Sequence, residues 1–315
     1  MDVIRNLREL VAPLPFPVVT IGNYDGVHLG HQEIFRRVRA RADAEGGTAV
    51  VVTFDPHPLK LVAPERCPQI MVTCEQKMRL IEAHGIDLVV CQPFTREFAA
   101  QPPPRFARDY LARGLGARWV VVGYDYSFGR GREGTIDSLR ELGLELGFEL
   151  EVVPPVEVEG EIVSSTRVRQ LITAGDLRTA NRCLGRPYSI AGEVIHGEHR
   201  GRTLGFPTAN IRSTDELLPA RGVYAIRVAW HGRFFDGVLN LGVNPTFDQR
   251  EVTIEPHLFD FHEDLYGQTI EVYFIKRLRD EMRFPSAAAL VAQIELDVAA
   301  ARALLAACPN PLTVL

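Results

Sequence analysis

Short apolar, β-branched runs alternate with amphipathic stretches through the first half of the chain. Pro17–Ile21, Thr48–Thr53, Ile86–Val90, Arg118–Val122 and Glu149–Val153 predict buried strands. Between them His31–Ala44, Glu75–His84, Arg105–Ala112 and Ile136–Leu146 predict helices, with Ile34, Phe35, Val38 and Ala42 on one apolar face of the first. Strand–helix alternation of this kind predicts a parallel sheet wrapped by helices. Sites in such sheets lie beyond the C-terminal strand ends, which directs attention to the loops after Ile21, Thr53 and Val122.

The pattern changes after Arg186-Pro187. Ser189–Ile195, Val223–Trp230, Phe234–Leu241, Thr253–Phe261 and Thr269–Ile275 follow one another as strands, and His231-Gly232 is a two-residue hairpin loop. A last helix has Ser286 as its N-cap and Leu290, Ile294, Val298, Ala301 and Leu305 along one face, read as core packing. The expectation is an antiparallel sheet or barrel of about six strands plus one helix. Two domains follow, 1–185 and 186–315.

Composition narrows the function. The 315 residues are 46% hydrophobic and 24% charged, ordinary globular values, with a net charge of −5. Residues 1–185 hold 22 basic and 24 acidic side chains and residues 186–315 hold 13 and 16, so neither half is a basic module, which argues against nucleic acid as the main partner. No apolar stretch approaches the roughly 18 residues of a membrane helix, and the N-terminus lacks a signal-peptide layout; a cytoplasmic location is expected, away from membranes. The five cysteines, Cys67, Cys74, Cys91, Cys183 and Cys308, form no C-x-x-C pair. They read as reduced thiols, neither a disulfide framework nor a zinc site.

Candidate chemistry begins after the first strand, in Gly22-Asn23-Tyr24-Asp25-Gly26-Val27-His28-Leu29-Gly30-His31. Glycines at a strand-to-helix turn let the backbone approach a phosphate, and a helix start favours its charge. His28 and His31, three apart, face the same way in a first helical turn. Phe54-Asp55-Pro56-His57-Pro58 follows the second strand, and the glycine-punctuated Gly123–Gly134 the fourth. Val163-Ser164-Ser165-Thr166-Arg167-Val168-Arg169 opens a further helix with hydroxyls and an arginine one turn on. Taken singly, a His-x-x-His pair is more often a helix start with solvated histidines, and Ser-Ser-Thr an N-cap. Two anion sites on one sheet suggest a triphosphate gripped at both ends.

In the second half, Gly197–Asn210 is a glycine-rich stretch that matches neither the P-loop nor the dinucleotide fingerprint. Thr208 and Asn210 lie two apart, and their oxygens suit a hard cation such as Mg²⁺. Glu255 shares a strand face with His257, opposite Ile254 and Leu258.

These residues carry a resemblance. His28-Leu29-Gly30-His31 and Val163–Arg169 resemble the paired signatures of nucleotidyltransferases. Gly22–His31, Phe54–Pro58 and Gly123–Gly134 resemble the adenylyltransferase half of the bacterial bifunctional riboflavin kinase/FMN adenylyltransferase family, with Tyr24 and Tyr126 where phenylalanine is usual and Val163 where isoleucine is. Gly201–Asn210, Gly222–Tyr224, Gly237–Gly242 with Asn244–Phe247, and Glu255–Phe261 with Asp264–Gly267 resemble riboflavin kinase signatures in family order. The resemblance spans roughly residues 15–305. It implies a Rossmann-like α/β nucleotidyltransferase domain followed by an antiparallel β-barrel kinase domain with a C-terminal helix. It implies that riboflavin and ATP give FMN and ADP, and that FMN and ATP give FAD and pyrophosphate. No protein partner is implied.

Roles follow from the same resemblance. His28 and His31 stabilise phosphate charge in adenylyl transfer; Gly22, Asn23, Asp25, Gly26, Ser164, Ser165, Thr166 and Arg169 bind its ATP; Phe54, His57 and Asp125 face FMN. In the kinase, Glu255 is the general base, Gly201, Arg202, Gly205 and Pro207 bind ATP, and Thr208 and Asn210 hold Mg²⁺. Two other readings stay open at this stage: a single-activity nucleotidyltransferase with a recognition barrel, and a non-enzymatic flavin-binding regulator.

Overall fold

A computed structural model describes residues 1–196, 206–213, 217–245 and 250–308. Six parallel strands form its first sheet: β1 (Asp2–Ile4), β2 (Pro17–Ile21), β3 (Thr48–Asp55), β4 (Leu88–Pro93), β5 (Trp119–Gly123) and β6 (Glu149–Val153), in the spatial order β1-β4-β3-β2-β5-β6. β2 is buried at every position. Val19 and Ile21 enter one core with Leu111 and Leu139, and Val18 enters another with Phe35 and Val38. Cover on both faces is why these strands read as continuous apolar runs.

The helices of this sheet are α1 (Leu29–Glu45), α2 (Pro58–Val62), α3 (Cys74–Glu82), α4 (Arg96–Ala99), α5 (Pro103–Phe106), which continues as a π-helical stretch over Ala107–Gly114, and α6 (Ile136–Leu146). α1 buries Ile34, Phe35, Val38 and Ala42, the face expected from their spacing. It ends at Gly46 in the left-handed region (φ 60°), where glycine carries no steric penalty. A small hairpin, β7 (Glu157–Val158) and β8 (Glu161–Ile162), follows β6.

By contact the chain divides into two units, Met1–Gln69 with Thr73–Ser164, and Ile70–Val72 with the chain from Ser165 onward. Helices α7 (Ser165–Ala174) and α8 (Leu177–Leu184) therefore go with the second unit, whereas Arg186 marks where its strands begin. The Asn181 side chain ties α8 to the sheet, donating to Phe274 O and accepting from Tyr188 N–H.

The second sheet is antiparallel: β9 (Tyr188–Ile195), β10 (Asn210–Ser213), β11 (Gly222–Trp230), β12 (Arg233–Pro245), β13 (Arg250–Leu258) and β14 (Thr269–Arg279), ordered β10-β9-β14-β11-β12-β13. Its two ends approach each other. Ala209 N–H donates to Pro256 O at 3.0 Å and His257 Nδ1 to Pro207 O at 2.8 Å, so the sheet curls into a nearly closed barrel. His231 and Gly232 turn the β11–β12 hairpin at φ 49° and 73°. Helix α9 (Ala287–Ala306) is capped by Ser286, whose Oγ accepts from Ala289 N–H. Its Ala301 and Leu305 pack on Ala225, Val238 and Ile275 of the barrel's outer face. Among the described residues no helix is long and apolar enough to cross a membrane.

Candidate functional sites

β2 stands where the strand order reverses, with β3 on one side and β5 on the other. Loops leave the C-terminal ends of β2 and its neighbours there, the usual ligand position in open parallel sheets. The Gly22–His28 turn is strained there: Tyr24, Gly26 and Val27 have φ of 49°, 80° and 42°. A β-branched residue in that region is unusual and persists only where its surroundings hold it. Gln32 Nε2 donates to Val27 O at 2.9 Å. The buried Tyr24 hydroxyl donates to Thr20 Oγ1 at 2.6 Å, and Thr20 donates to Val121 O at 2.6 Å. Burial pushes the Tyr24 phenol pKa far up, so it stays a donor. Gly22 lies under that ring, where a Cβ would come within 2.8 Å.

His28 is buried and stands at the N-cap of α1, with no side-chain cap bond closing the helix start. Its ring stacks on His31, centroids 3.6 Å apart and planes at 22°, and Tyr24 meets His31 edge-on at 5.2 Å. A Cβ on Gly30 would sit 3.2 Å from the His28 ring and 3.8 Å from Val163 O. Thus the chain entering the Val163-Ser164 motif passes the α1 start. Ser165 and Thr166 then open α7, and Arg169 follows a turn later.

Asn23 joins two loops. Its amide lies 3.4 Å from His57 Nε2, and its carbonyl accepts from Lys77 Nζ at 3.1 Å and Thr53 Oγ1 at 3.2 Å. His57 caps α2, its Nδ1 accepting from Leu59 N–H. Asp25 is buried, whereas Asp125 is exposed. Half-buried Phe54 meets Phe94 and Phe98 at 5.3 and 5.8 Å, the start of an aromatic cluster that continues through Phe106 to Phe128 and Tyr126. Lys77, Phe94 and Phe98 were not singled out by sequence. The available signal was a lysine in a chain that has three beside 32 arginines.

In the barrel, Glu255 pairs directly with Asn240 across β13 and β12. Directly opposed residues share a face. Leu239, Leu241 and Ile254 occupy the other face and are buried. His257 pairs with Val238, which lies under α9, so Glu255, Asn240 and His257 look outward on the helix-covered side. The Ala209–Pro256 bond brings Thr208 and Asn210, which flank Ala209, to the strand carrying Glu255. A carboxylate oxygen of Glu281, missed by sequence, lies where a Cβ on Gly242 would come within 2.5 Å, and the Asn240 amide is beside it. Gly201, Arg202 and Gly205 lie outside the described residues; Pro207 is exposed next to them.

Residues 15–167 match the FAD synthetase family model, and residues 184–305 match that of riboflavin kinase. A bifunctional riboflavin kinase/FMN adenylyltransferase of Pseudomonas fluorescens is 41% identical over 97% of this chain and 98% of its own. The protein of the same description from Escherichia coli K12 is 38% identical over 96% and 97%. The chain belongs to the bifunctional riboflavin kinase/FMN adenylyltransferase family. A solved Streptococcus pneumoniae chain described as a macrolide-efflux protein is 34% identical, with a TM-score of 0.85 over 94% of this chain and 96% of that one. The two family matches divide the chain in the order its motifs foretold, adenylyltransferase first and kinase second.

Proposed function

We propose that this bifunctional flavin-cofactor enzyme uses the β2–α1 turn for adenylyl transfer and the outer face of β12–β13 for riboflavin phosphorylation. ATP is the co-substrate of both steps, and residues 1–185 and 186–315 are the functional halves. What supports this assignment is that His28 stacks on His31 at the start of α1, and that the Ala209–Pro256 bond and the Asn240–Glu255 pairing set Thr208, Asn210, Asn240 and Glu255 on adjoining segments of the barrel. A cytoplasmic location is part of the same reading.

In adenylyl transfer the FMN phosphate attacks the α-phosphorus of ATP, and pyrophosphate leaves. A phosphate monoester has a second pKa near 6 and is mostly dianionic at neutral pH, so it needs no base. The work is charge stabilisation. His28 and His31 donate to the triphosphate and the Gly22–Gly26 backbone approaches it; Ser164, Ser165, Thr166 and Arg169 keep the ATP-binding role that the family resemblance implies. Bonds from Lys77 and Thr53 to the Asn23 carbonyl hold the start of the turn in place. Phe54, with Phe94 and Phe98, offers the flavin ring an aromatic surface near His57 and Asp125.

In phosphorylation Glu255 takes the proton of the ribityl 5′-hydroxyl, since an alcohol is a poor nucleophile until its proton has an acceptor. Asn240, directly opposite, orients that carboxylate. Thr208 and Asn210 offer neutral oxygens beside it, a donor set that fits Mg²⁺ together with phosphate and water. When bound there, Mg²⁺ supplies positive charge to the ATP phosphates. Gly201, Arg202, Gly205 and Pro207 bind ATP in the same reading.

Incubation with riboflavin, ATP and Mg²⁺, with FMN and FAD resolved over time, tests the reading. FMN should rise first and FAD follow at its expense. FAD made from supplied FMN, with no FMN made from riboflavin, would remove the kinase assignment.

A further inference from the structure

Three side chains far apart in sequence converge outside the residues assigned above. Asp55 ends β3, Cys74 begins α3, and Cys91 lies in β4; one carboxylate oxygen and the two Sγ atoms all lie within 4.8 Å of one another. We infer that Asp55, Cys74 and Cys91 form a binding site for a thiophilic divalent cation, Zn²⁺ foremost, which goes beyond flavin synthesis.

The geometry fits such an ion. Zinc binds cysteine sulfur at about 2.3 Å and carboxylate oxygen at about 2.0–2.2 Å in a tetrahedron. Ligand atoms on neighbouring corners of such a tetrahedron are then roughly 3.5–3.8 Å apart, inside the observed limit. Two thiolates select a soft or borderline cation over Mg²⁺, whose preference is for oxygen. Three protein ligands with Asp55 and Cys74 exposed leave a fourth position open to water.

The three ligands are also held on fixed backbone. Asp55 pairs with Pro93, and Cys91 with Thr53, in the β3–β4 ladder. Cys74 follows Thr73, whose hydroxyl and Gln76 form a reciprocal capping box at the α3 start. The ion therefore needs side-chain rotation but no rearrangement of elements, which is what keeps affinity from being lost to ordering. Spacings of 19 and 17 residues match no zinc signature, so only the fold brings the set together.

The site also adjoins the adenylyltransferase turn. Lys77, one helical turn beyond Cys74, and Thr53, opposite Cys91, both donate to Asn23 O. Cation binding there is expected to alter FAD formation from FMN and to leave FMN formation from riboflavin unchanged.

Titration of the reduced, metal-stripped full chain with Co²⁺ and then Zn²⁺ tests the inference. One equivalent of Co²⁺ should produce a thiolate-to-cobalt charge-transfer band that one equivalent of Zn²⁺ abolishes, and bound Zn²⁺ should protect Cys74 from alkylation. Cys74→Ser and Cys91→Ser should each weaken binding at least tenfold, and Cys67→Ser, outside the group, should not. Should Cys91→Ser fail to fold, Asp55→Asn at the exposed strand end serves in its place, with the same loss expected. Absence of the band at stoichiometric Co²⁺ overturns the inference. So does binding that survives both Cys74→Ser and Asp55→Asn, or a Cys74–Cys91 disulfide in air from a reduced protein that takes up no metal.

Discussion

The imidazoles of His28 and His31 stack face to face at 3.6 Å, one at the N-cap of α1 and the other in its first turn. Gly30 between them makes the stack feasible, since a side chain there would meet the His28 ring at 3.2 Å. In the proposed mechanism the pair donates as a unit to an anion at the helix start. His31→Ala is therefore expected to slow FAD formation from FMN by about 10²- to 10³-fold, the usual cost of one preorganised donor. FMN formation from riboflavin should stay near wild type. A steady-state adenylyltransferase assay reads the effect, and a change of only a few-fold would take His31 out of the mechanism.

Glu255→Gln tests base catalysis while keeping size and a carbonyl acceptor toward Asn240. General-base contributions are typically about 10²–10⁴, so kcat for riboflavin phosphorylation should fall by at least about a hundredfold. KM values should move much less, because the lost interaction belongs to the transition state. Adenylyl transfer from supplied FMN should be unchanged in the same preparation, which excludes global unfolding. Phosphorylation at close to the normal rate would assign the base elsewhere, with Glu281 the first candidate because its carboxylate and the Asn240 amide both lie against Gly242.

Legibility followed burial. β2, β6 and α6 run from Pro17 to Ile21, Glu149 to Val153 and Ile136 to Leu146, the bounds their patterns predict. β1 escaped notice because three edge residues, two of them exposed, make no pattern. β10 escaped because Ile211 alone is buried in its four residues. His28 and His31 were readable from a three-residue spacing that any helix converts into neighbours. The link from Lys77 to Asn23 spans 54 residues, and the Asp55–Cys74–Cys91 group joins two strands and a helix. Neither has a local signal, because only the order of strands in the sheet decides which loops meet.

Glu33 gives α1 a pH-dependent support. Hydrogen bonds from Arg36 at 2.6 Å and Arg37 at 2.8 Å hold its carboxyl at about 2, with the Arg36 bond the largest cause. An unfolded glutamate titrates near about 4.3. A folded-state pKa below the unfolded one means stabilisation present in full above that value and lost as pH falls toward about 2. The arginine side chains are 60% and 42% exposed, so solvent screening keeps the contribution small. Urea unfolding should show Glu33→Gln slightly less stable than wild type at neutral pH, with the gap closing in acid. A gap that stays constant down to pH about 3 would contradict the assignment.

Helix α9 is docked by charge as well as by its apolar stripe. Buried Asp297 accepts from Arg279 Nε at 3.0 Å and from its terminal nitrogen at 2.7 Å, and Gln293 adds a bond at 3.0 Å. Arg227, also buried, donates to Asp236 and to the carbonyls of Leu305 and Cys308 at the helix end. Removing one partner of such a pair strands the other charge in a dry site, typically at a cost of about 3–5 kcal/mol. Arg279 retains some exposure, so Asp297→Ala should fall at the lower end, about 3 kcal/mol. Replacing both partners removes the stranded charge, so Arg279→Met combined with Asp297→Leu should recover much of the loss, and the two effects should be strongly non-additive. Denaturant unfolding of the full chain in a Trp119→Phe background, where Trp230 of the barrel unit is the remaining tryptophan, reads both variants by fluorescence. If Asp297→Ala is as stable as wild type, the helix is held by its apolar face alone and the ion pair contributes nothing to its docking; if it and the double variant are equally destabilised, the loss is that of the pair itself and no charge is stranded.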